Sequence, residues 1–267
     1  MIGTRFPGFE VVPRGAKAGL IIVHGIAEHG ARYRHAADAL ARKNIASFVY
    51  DQRGHGESPG TRAHIGDFAE FAADLRLIGE NVRQRFAPMP LFVWGHSMGS
   101  VVVLLAAPHL GWARGCITSG CALDAMPKLD GLAGVLLRTA SILAPRLRIS
   151  LGIDATTLTH VAEEQRRHMS DPLVPRTASL RLLYGFAAAC RRCRADAGKI
   201  TLPWLAVHGE ADGVCPVSGS RTLIDALGSS DKHLVTYPQL LHEVHNEDET
   251  SRTALFDLMS RWILERA

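Results

Sequence analysis

The sequence predicts an α/β protein with a mainly parallel central sheet and helices on both faces. Along most of the 267 residues, short apolar runs rich in β-branched residues alternate with longer segments whose apolar side chains recur at helical spacing. This alternation is typical of parallel sheets that are covered on both faces. The length suits one large domain, so we expect residues 1–267 to form a single unit.

The first half of the chain supplies four of the predicted strands. They are the apolar runs 20–23, 45–50, 91–94 and 115–119. Helices are expected at about 33–43 and at 68–86, because apolar residues recur there three and four positions apart. A loop rich in glycine and charge follows at 51–60, and we expect its arginine and aspartate to hold it in place.

The alternation breaks after about Asp124 and returns near residue 203. Residues 124–199 show helical patterns and no convincing strand. Beyond them we expect two strands at 203–208 and 233–237, and two helices at 221–227 and 249–265. Residues 124–199 are therefore predicted to be a helical cap inserted between two strands of one sheet.

A pentapeptide after the third predicted strand carries the strongest chemical signal. Gly95-His96-Ser97-Met98-Gly99 fits the pattern G-x-S-x-G, in which a sharp strand-to-helix turn lifts a serine hydroxyl out of the sheet edge. Glycine is expected at both ends because a Cβ there would collide with the neighbouring strand or helix. The helix that begins after Ser97 directs its N–H groups toward any anion formed at the serine.

A serine nucleophile needs a base, and the base needs a group that orients it. After this kind of turn, the acid and then the histidine follow the serine in the chain. Asp212 and His242 each lie just after a predicted strand, so both should meet Ser97 at the carboxyl ends of the strands. The competing groups are Glu210 and His245 in these loops, and His233 at the start of the last predicted strand.

Two backbone N–H groups must face the oxyanion that forms during acyl transfer. One should belong to Met98, the residue after the nucleophile, and the other to the loop after the first predicted strand. Ile26 is the best candidate in that loop, because Gly25 before it lets the backbone approach a substrate closely.

Several motifs together resemble one known family. They are His24-Gly25-x-x-Glu28-His29 with Arg32-Tyr33, Asp51-x-Arg53-Gly54-His55-Gly56-x-Ser58, the pentapeptide around Ser97, Ser170-Asp171-Pro172-Leu173, and His242-Glu243-x-x-Asn246-Glu247. In order and spacing this set is similar to the monoacylglycerol lipase and lysophospholipase-like branch of the α/β-hydrolases, which has a serine aminopeptidase S33-type domain. The resemblance covers nearly the whole chain from about Gly19 onward.

The resemblance implies a serine hydrolase that cleaves esters of long acyl chains and needs no metal and no cofactor. It implies a triad of Ser97, Asp212 and His242, with Ile26 and Met98 as oxyanion donors. For the polar end of the substrate it points to Glu28, Arg32, His168 and His245. His168 departs from the family pattern, which often has tyrosine there, and so does Gly213, where a larger residue is usual.

The leading prediction is a monoacylglycerol lipase that works through an acyl-enzyme. Carboxylesterases of short- to medium-chain esters, lysophospholipases and serine aminopeptidases share the triad and stay as alternatives. A non-catalytic binding protein on the same fold is disfavoured, because a lost triad residue would mark it and all three are present.

Composition limits the partners and the compartment. The net charge of +4 comes from scattered arginines without a dense basic tract, so we expect no nucleic-acid partner. The N-terminus lacks the apolar segment of a signal peptide, no stretch is long enough to span a bilayer, and five cysteines do not suggest a disulfide framework. We expect a cytoplasmic protein whose apolar cap segment 132–144 lines an acyl tunnel or makes transient contact with a membrane surface. The oligomeric state stays open.

Three cysteines have alternatives to a simple packing role. Cys190 and Cys193 have the spacing of a zinc or redox motif, but no second pair of ligands accompanies them, so a metal site is disfavoured. Cys215 follows Asp212 closely and is expected to be a small buried side chain near the pocket.

Overall fold

The computed structural model describes residues 6–126 and 129–267. The strands in these ranges are β1 (Gly8–Val11), β2 (Ala18–Val23), β3 (Ile45–Tyr50), β4 (Leu91–His96), β5 (Ala113–Ser119), β6 (Arg148–Ser150), β7 (Thr177–Ser179), β8 (Trp204–Gly209) and β9 (Lys232–Tyr237). The helices are α1 (Arg34–Ala41), α2 (Ala69–Phe86), α3 (Met98–Ala106), α4 (Gly131–Leu143), α5 (Ala162–Ser170), α6 (Leu180–Asp196), α7 (Ser218–Ala226) and α8 (Glu249–Leu264).

Seven of these strands form one sheet in the order β1-β3-β2-β4-β5-β8-β9. The six strands from β3 to β9 in this order are parallel, and β1 pairs antiparallel with β3 at one edge. The predicted fold class is confirmed. Because the parallel strands all end on the same side, the loops that follow β2, β4, β8 and β9 gather at one edge of the sheet.

The sheet has a hydrophobic core on each face, because successive residues of a strand point to opposite sides. On β2, Ile21 and Val23 pack in the core that α2, α3 and α6 share, while Leu20 and Ile22 pack with α1 and α8. Every residue of β2, β3, β4 and β8 is buried. This burial on both faces explains why these strands appear in the sequence as continuous apolar runs.

Two features of the sheet structure were not expected from the sequence. β1 is a four-residue edge strand whose residues are all partly exposed, so it has no apolar run that would mark it. The insertion was expected to contain no strand, and this is wrong in detail, because β6 and β7 pair antiparallel there. Each has only three residues, which is too short for a period-two pattern to show.

Between β5 and β8 the chain leaves the sheet and forms α4, α5 and α6. Helix α6 is anchored in the core through five buried side chains, which are Leu182, Phe186, Ala189, Cys190 and Cys193. Helix α4 is different, because its large apolar side chains face solvent. Those that are 56–79% exposed are Leu132, Val135, Leu136, Ile142 and Leu143. Within the described ranges no helix has both the length and the apolar composition to cross a membrane.

Candidate active site

Ser97 occupies the turn between β4 and α3 in a strained conformation. Its φ of 53° and ψ of −122° lie in a region that residues other than glycine rarely adopt. A Cβ on Gly95 would overlap the backbone of Gly99, and a Cβ on Gly99 would overlap the carbonyl of Val23 on β2. The two glycines therefore allow β4 to turn sharply into α3, as the sequence indicated, and the turn carries the serine at its apex.

Asp212 and His242 form a buried hydrogen-bonded pair at the same edge of the sheet. The Nδ1–H of His242 donates to Oδ2 of Asp212 over 2.7 Å, and both side chains are almost fully buried. The other carboxylate oxygen, Oδ1, accepts from the backbone N–H groups of Val214 and Cys215, each at 2.8 Å. The acid is thus fixed from two sides, and His242 has only its Nε2 left for a substrate or a nucleophile.

Electrostatics prepare this pair for proton transfer. Burial alone would lower the pKa of His242, but the hydrogen bond and the charge of Asp212 outweigh it and raise that pKa above its usual 6.5. Burial would raise the pKa of Asp212, yet its N–H donors, His208 and His242 first, hold it well below the usual range. Asp212 therefore stays ionised and stabilises the imidazolium form of its partner.

The hydroxyl of Ser97 faces Cys215 in this structure. Its Oγ lies 4.0 Å from Sγ of Cys215, and among the described residues this is its only hydrogen-bond contact. The imidazole of His242 packs against that of His96, the residue before the serine. Their ring centroids are 4.7 Å apart. Hydrogen bonds between a catalytic serine and its base often tighten only when substrate is bound.

The loop after β2 is held rigidly beside the serine. The Nδ1–H of His24 donates to the Gly25 carbonyl at 2.8 Å, its Nε2 accepts the Gln52 backbone N–H at 2.9 Å, and the Gln52 amide donates to the His24 carbonyl at 2.6 Å. Burial lowers the pKa of His24 to about 3, so its ring stays neutral. These contacts hold the backbone of His24 and Gly25, directly before Ile26. Met98, the first residue of α3, has an N–H with no intrahelical acceptor.

A buried charged network lies behind this loop. Arg32 donates to both oxygens of Glu243, at 2.7 and 2.8 Å, and also reaches Glu28 at 3.4 Å. Glu28 accepts in addition from the Gly25 N–H and from the Tyr33 hydroxyl. Burial raises the pKa of Glu28, and the neighbouring Glu243 adds to this, whereas Arg32 opposes it. One guanidinium serves two carboxylates. Its contacts with Glu243 are shorter than its contact with Glu28, so it stabilises the negative charge of Glu28 less.

His245 is fully buried next to this network. Its ring stacks on Tyr33 with centroids 4.9 Å apart and meets Trp94 and His96 edge-on. Neither ring nitrogen has a hydrogen-bond partner in the described part of the chain. Burial lowers its pKa to about 3, so the ring is neutral. The structure brings His245 close to Arg32 and the triad, but not to an open surface.

His168 lies in the last turn of α5, next to the loop that follows β2. It is 5% exposed, and it lines a cavity of about 160 Å³ together with Ala27, the residue after Ile26. Its Nδ1 is buried and has no partner among the described residues. Burial, followed by the charge of Arg32, lowers its pKa to about 4. Nearby, His29 and Asp171 join the core to the insertion through a 2.8 Å hydrogen bond.

The competing acid and base lie away from Ser97. Glu210 pairs with Arg221 at 3.3 Å on the surface, and His233 contacts Asp231 at 3.1 Å in an exposed position. Sequence reasoning gave no role to Glu243 or His208. Glu243 entered only as part of the motif that begins at His242, and His208 had only its place four residues before Asp212 as a signal.

The two cysteines with C-x-x-C spacing donate to different carbonyls. Cys190 donates to Ala122 O over 3.5 Å, and Cys193 donates to Val101 O over 3.8 Å. Burial raises the pKa of both thiols. In the ranges that the structure describes, no group of three or more histidine, cysteine or acidic side chains is arranged to hold a metal ion.

The parallel sheet, the strained serine turn and the Asp–His pair at the strand ends define an α/β-hydrolase. Over residues 14–249 the chain matches the family described as serine aminopeptidase, S33. That range covers most of the sequence, and the chain belongs to this family.

Individual relatives agree with this placement. A monoacylglycerol lipase of Mycolicibacterium smegmatis is 34% identical over 260 residues, which cover 94% of this chain and 89% of that protein. The human monoglyceride lipase is 31% identical over 260 residues, covering 95% and 85%. The solved structure of a Paleococcus ferrophilus monoacylglycerol lipase matches with a TM-score of 0.83 at 25% identity, over 97% of this chain and 99% of that one. The predicted branch is confirmed, and the chain is a serine ester hydrolase.

Proposed function

We propose that this enzyme hydrolyses monoacylglycerols to a fatty acid and glycerol through an acyl-enzyme on Ser97. The observation that carries the proposal is the buried 2.7 Å hydrogen bond between His242 and Asp212, placed at the strand ends beside the strained serine. The names of the relatives, which are monoacylglycerol lipases in bacteria and in humans, support the choice of substrate.

The reaction follows from these positions. His242 Nε2 takes the proton of Ser97 as Oγ attacks the ester carbonyl, and the resulting oxyanion accepts from the N–H groups of Ile26 and Met98. His242 then gives the proton to the glyceryl oxygen, which leaves as glycerol while the acyl group stays on Ser97. Water attacks this ester, His242 takes a proton from the water, and the same proton returns to Ser97 when the fatty acid leaves. Asp212 stabilises the imidazolium in both halves.

The polar end of the substrate is assigned to Glu28, Arg32, His168 and His245. The free, buried Nδ1 of His168 in a small cavity beside the oxyanion loop supports a direct hydrogen bond to a glycerol hydroxyl. Glu28 and His245 are more deeply buried, and their contacts with Gly25, Arg32 and Tyr33 support a role in which they hold the pocket's shape. Glycerol hydroxyls both donate and accept, which suits a neutral imidazole beside carboxylates.

The insertion 124–199 is assigned as a cap that makes transient contact with a membrane surface. The exposed apolar side chains of α4 support this, because monomeric proteins rarely leave such a continuous apolar face in water. A long-chain monoacylglycerol is itself a membrane lipid, so a cap that rests on a bilayer would shorten its path to Ser97. The five buried free cysteines suit the reducing cytoplasm.

The test compares a long-chain monoacylglycerol with the methyl ester of the same acid. We expect the glycerol ester to be preferred, and His168→Ala to reduce this preference about tenfold, since a lost buried hydrogen bond costs about 1–3 kcal/mol. His109→Ala, at an exposed position remote from the triad, is the matched control, and Ser97→Ala gives the background rate. Equal rates on both esters in the wild-type enzyme would refute the headgroup assignment, and a turnover-competent Ser97→Ala protein would refute the nucleophile.

A further inference from the structure

A second histidine contacts the acid of the triad. His208 is the fifth residue of β8 and is fully buried. Its Nε2 lies 3.0 Å from Oδ2 of Asp212 and 2.9 Å from the carbonyl oxygen of Cys215. Its Nδ1 lies 2.7 Å from Oγ of Ser220 on α7. The proton transfers between Ser97, His242 and the substrate do not involve this residue.

The contacts of His208 determine its tautomer. Both partners of Nε2, the Asp212 carboxylate and the Cys215 carbonyl, can only accept, so Nε2 must carry a proton. Ser220 can donate its hydroxyl hydrogen to Nδ1, which then needs no proton of its own. The network is complete with a neutral ring that is protonated on Nε2, and no polar atom of the imidazole is left without a partner.

The same carboxylate oxygen thus accepts from two imidazoles. Oδ2 of Asp212 receives Nδ1–H of His242 at 2.7 Å and Nε2–H of His208 at 3.0 Å, while Oδ1 receives two backbone N–H groups. The backbone donors hold Oδ1, and His242 alone would be the single donor to Oδ2. The donor from β8 adds a second contact at Oδ2 and so restrains the orientation of the carboxylate further.

We propose that His208 is a positioning residue, which orients the Asp212 carboxylate toward His242 and shares its negative charge. The inference rests on the proposed function, in which Asp212 and His242 form the acid–base pair. His208 touches neither substrate nor nucleophile, so it acts only through Asp212.

Charge sharing gives His208 an effect that a packing role would not have. Two N–H donors on one oxygen weaken each other, because each withdraws electron density that the other would use. Without the His208 donor, Oδ2 would attract the proton of His242 more strongly, and the pKa of His242 would rise. The acid limb of the profile of kcat/KM against pH would then move to higher pH.

Two substitutions separate donation from packing. In His208→Gln, the side-chain amide nitrogen is as many bonds from Cα as Nε2 is, so it can still donate to Asp212. In His208→Asn, the shorter side chain can reach Ser220 but not Asp212. We expect the Asn variant to lose about tenfold in kcat with little change in KM, and to shift the acid limb up by about half a pH unit, as for a lost charge-assisted hydrogen bond. The Gln variant should recover most of both.

A spectroscopic measurement on the wild-type enzyme reports the tautomer of His208 directly and does not depend on the activity of the variants. The enzyme with ¹⁵N-labelled histidine should show His208 as the neutral Nε2–H tautomer, its signal assigned among the 13 histidines by its absence in His208→Gln. A proton on Nδ1 would overturn the proposal, and so would equal kcat and equal acid limbs in the Asn and Gln variants. Failure of the proposed function would appear elsewhere, as retained turnover in Ser97→Ala, with the tautomer of His208 unchanged.

Discussion

At Gly120, the lack of a side chain leaves room for the base. It follows β5 with a φ of +52°, and a Cβ there would lie 2.9 Å from both Cε1 and Nδ1 of His242. An L-residue would be strained at this φ and would also push the imidazole away from Asp212. The position of the base is therefore set partly by the absence of a side chain in the loop that follows β5.

We expect Gly120→Ala to lower kcat by at least tenfold, because a displacement of about 1 Å at a catalytic group can cost about a hundredfold. Gly111→Ala is the matched control, since a Cβ there meets no atom within 4 Å. Steady-state kinetics and thermal unfolding of both variants make the comparison. If Gly120→Ala kept wild-type kcat, His242 would have room to spare, and contact with residue 120 would not set its position.

The candidate catalytic residues could be selected from sequence, because each follows a recognisable apolar strand and strand ends converge. Their surroundings could not. Glu243 binds Arg32, which is 211 positions away in the chain, and no local pattern records such a pairing. Likewise, the sequence placed Glu28 and His245 at the substrate's polar end, but only three-dimensional packing shows how deeply both are buried.

At the scale of whole elements, strands buried on both faces were the easiest to predict. Strand β3 has the predicted bounds, and β2, β4, β5, β8 and β9 differ from prediction by one to a few residues. Strand β9 was predicted although it is only partly buried, whereas three shorter strands carried no such signal. Edge strand β1 and strand β6 have no buried residue, and β7 has only three residues, so composition alone did not reveal them.

Helix α4 gives a prediction at this scale. Replacing Leu136 and Leu143, which are 61% and 79% exposed, by aspartate should weaken binding to phospholipid vesicles and reduce hydrolysis of a long-chain monoacylglycerol embedded in them. Hydrolysis of a short ester in free solution should stay within about twofold, because exposed substitutions rarely change stability by more than about 0.5 kcal/mol.

Leu77→Asp is the control for that experiment. Leu77 lies on α2 and is 44% exposed, outside the insertion. Vesicle sedimentation and a lipid hydrolysis assay compare the three proteins. A double α4 variant that binds vesicles and hydrolyses embedded lipid as well as the Leu77→Asp variant does would contradict a membrane role for this helix.

For the molecule as a whole, the raised pKa of His242 makes activity and stability depend on pH in opposite directions. The base must be neutral to accept the serine proton, so kcat/KM should be full at alkaline pH and fall as pH drops through the pKa of His242, with a midpoint above 6.5. The protonated ring is the form that the fold stabilises, so this contribution to stability is present at low pH and is lost as pH rises through the same pKa.

A profile of kcat/KM against pH, with the Ser97→Ala rate subtracted, measures this midpoint. A midpoint clearly below 6.5 would mean that burial of the imidazole outweighs the charge of Asp212 and lowers the pKa of His242 instead of raising it. Buffers of constant ionic strength are needed, because salt screens the electrostatic effect of the surrounding arginines on the pKa of His242.

The unequal anchoring of the insertion has a consequence for how such enzymes diversify. β5 and β8 pair directly, with Cys116 opposite Trp204 and Ser119 opposite Val207, so the sheet is continuous without any residue between them. Helix α6 is tied to the core, whereas α4 has few buried side chains. Over evolution, the α4 segment is therefore free to vary in length and chemistry under selection for new lipids, while changes in α6 are restrained by the fold that carries the triad.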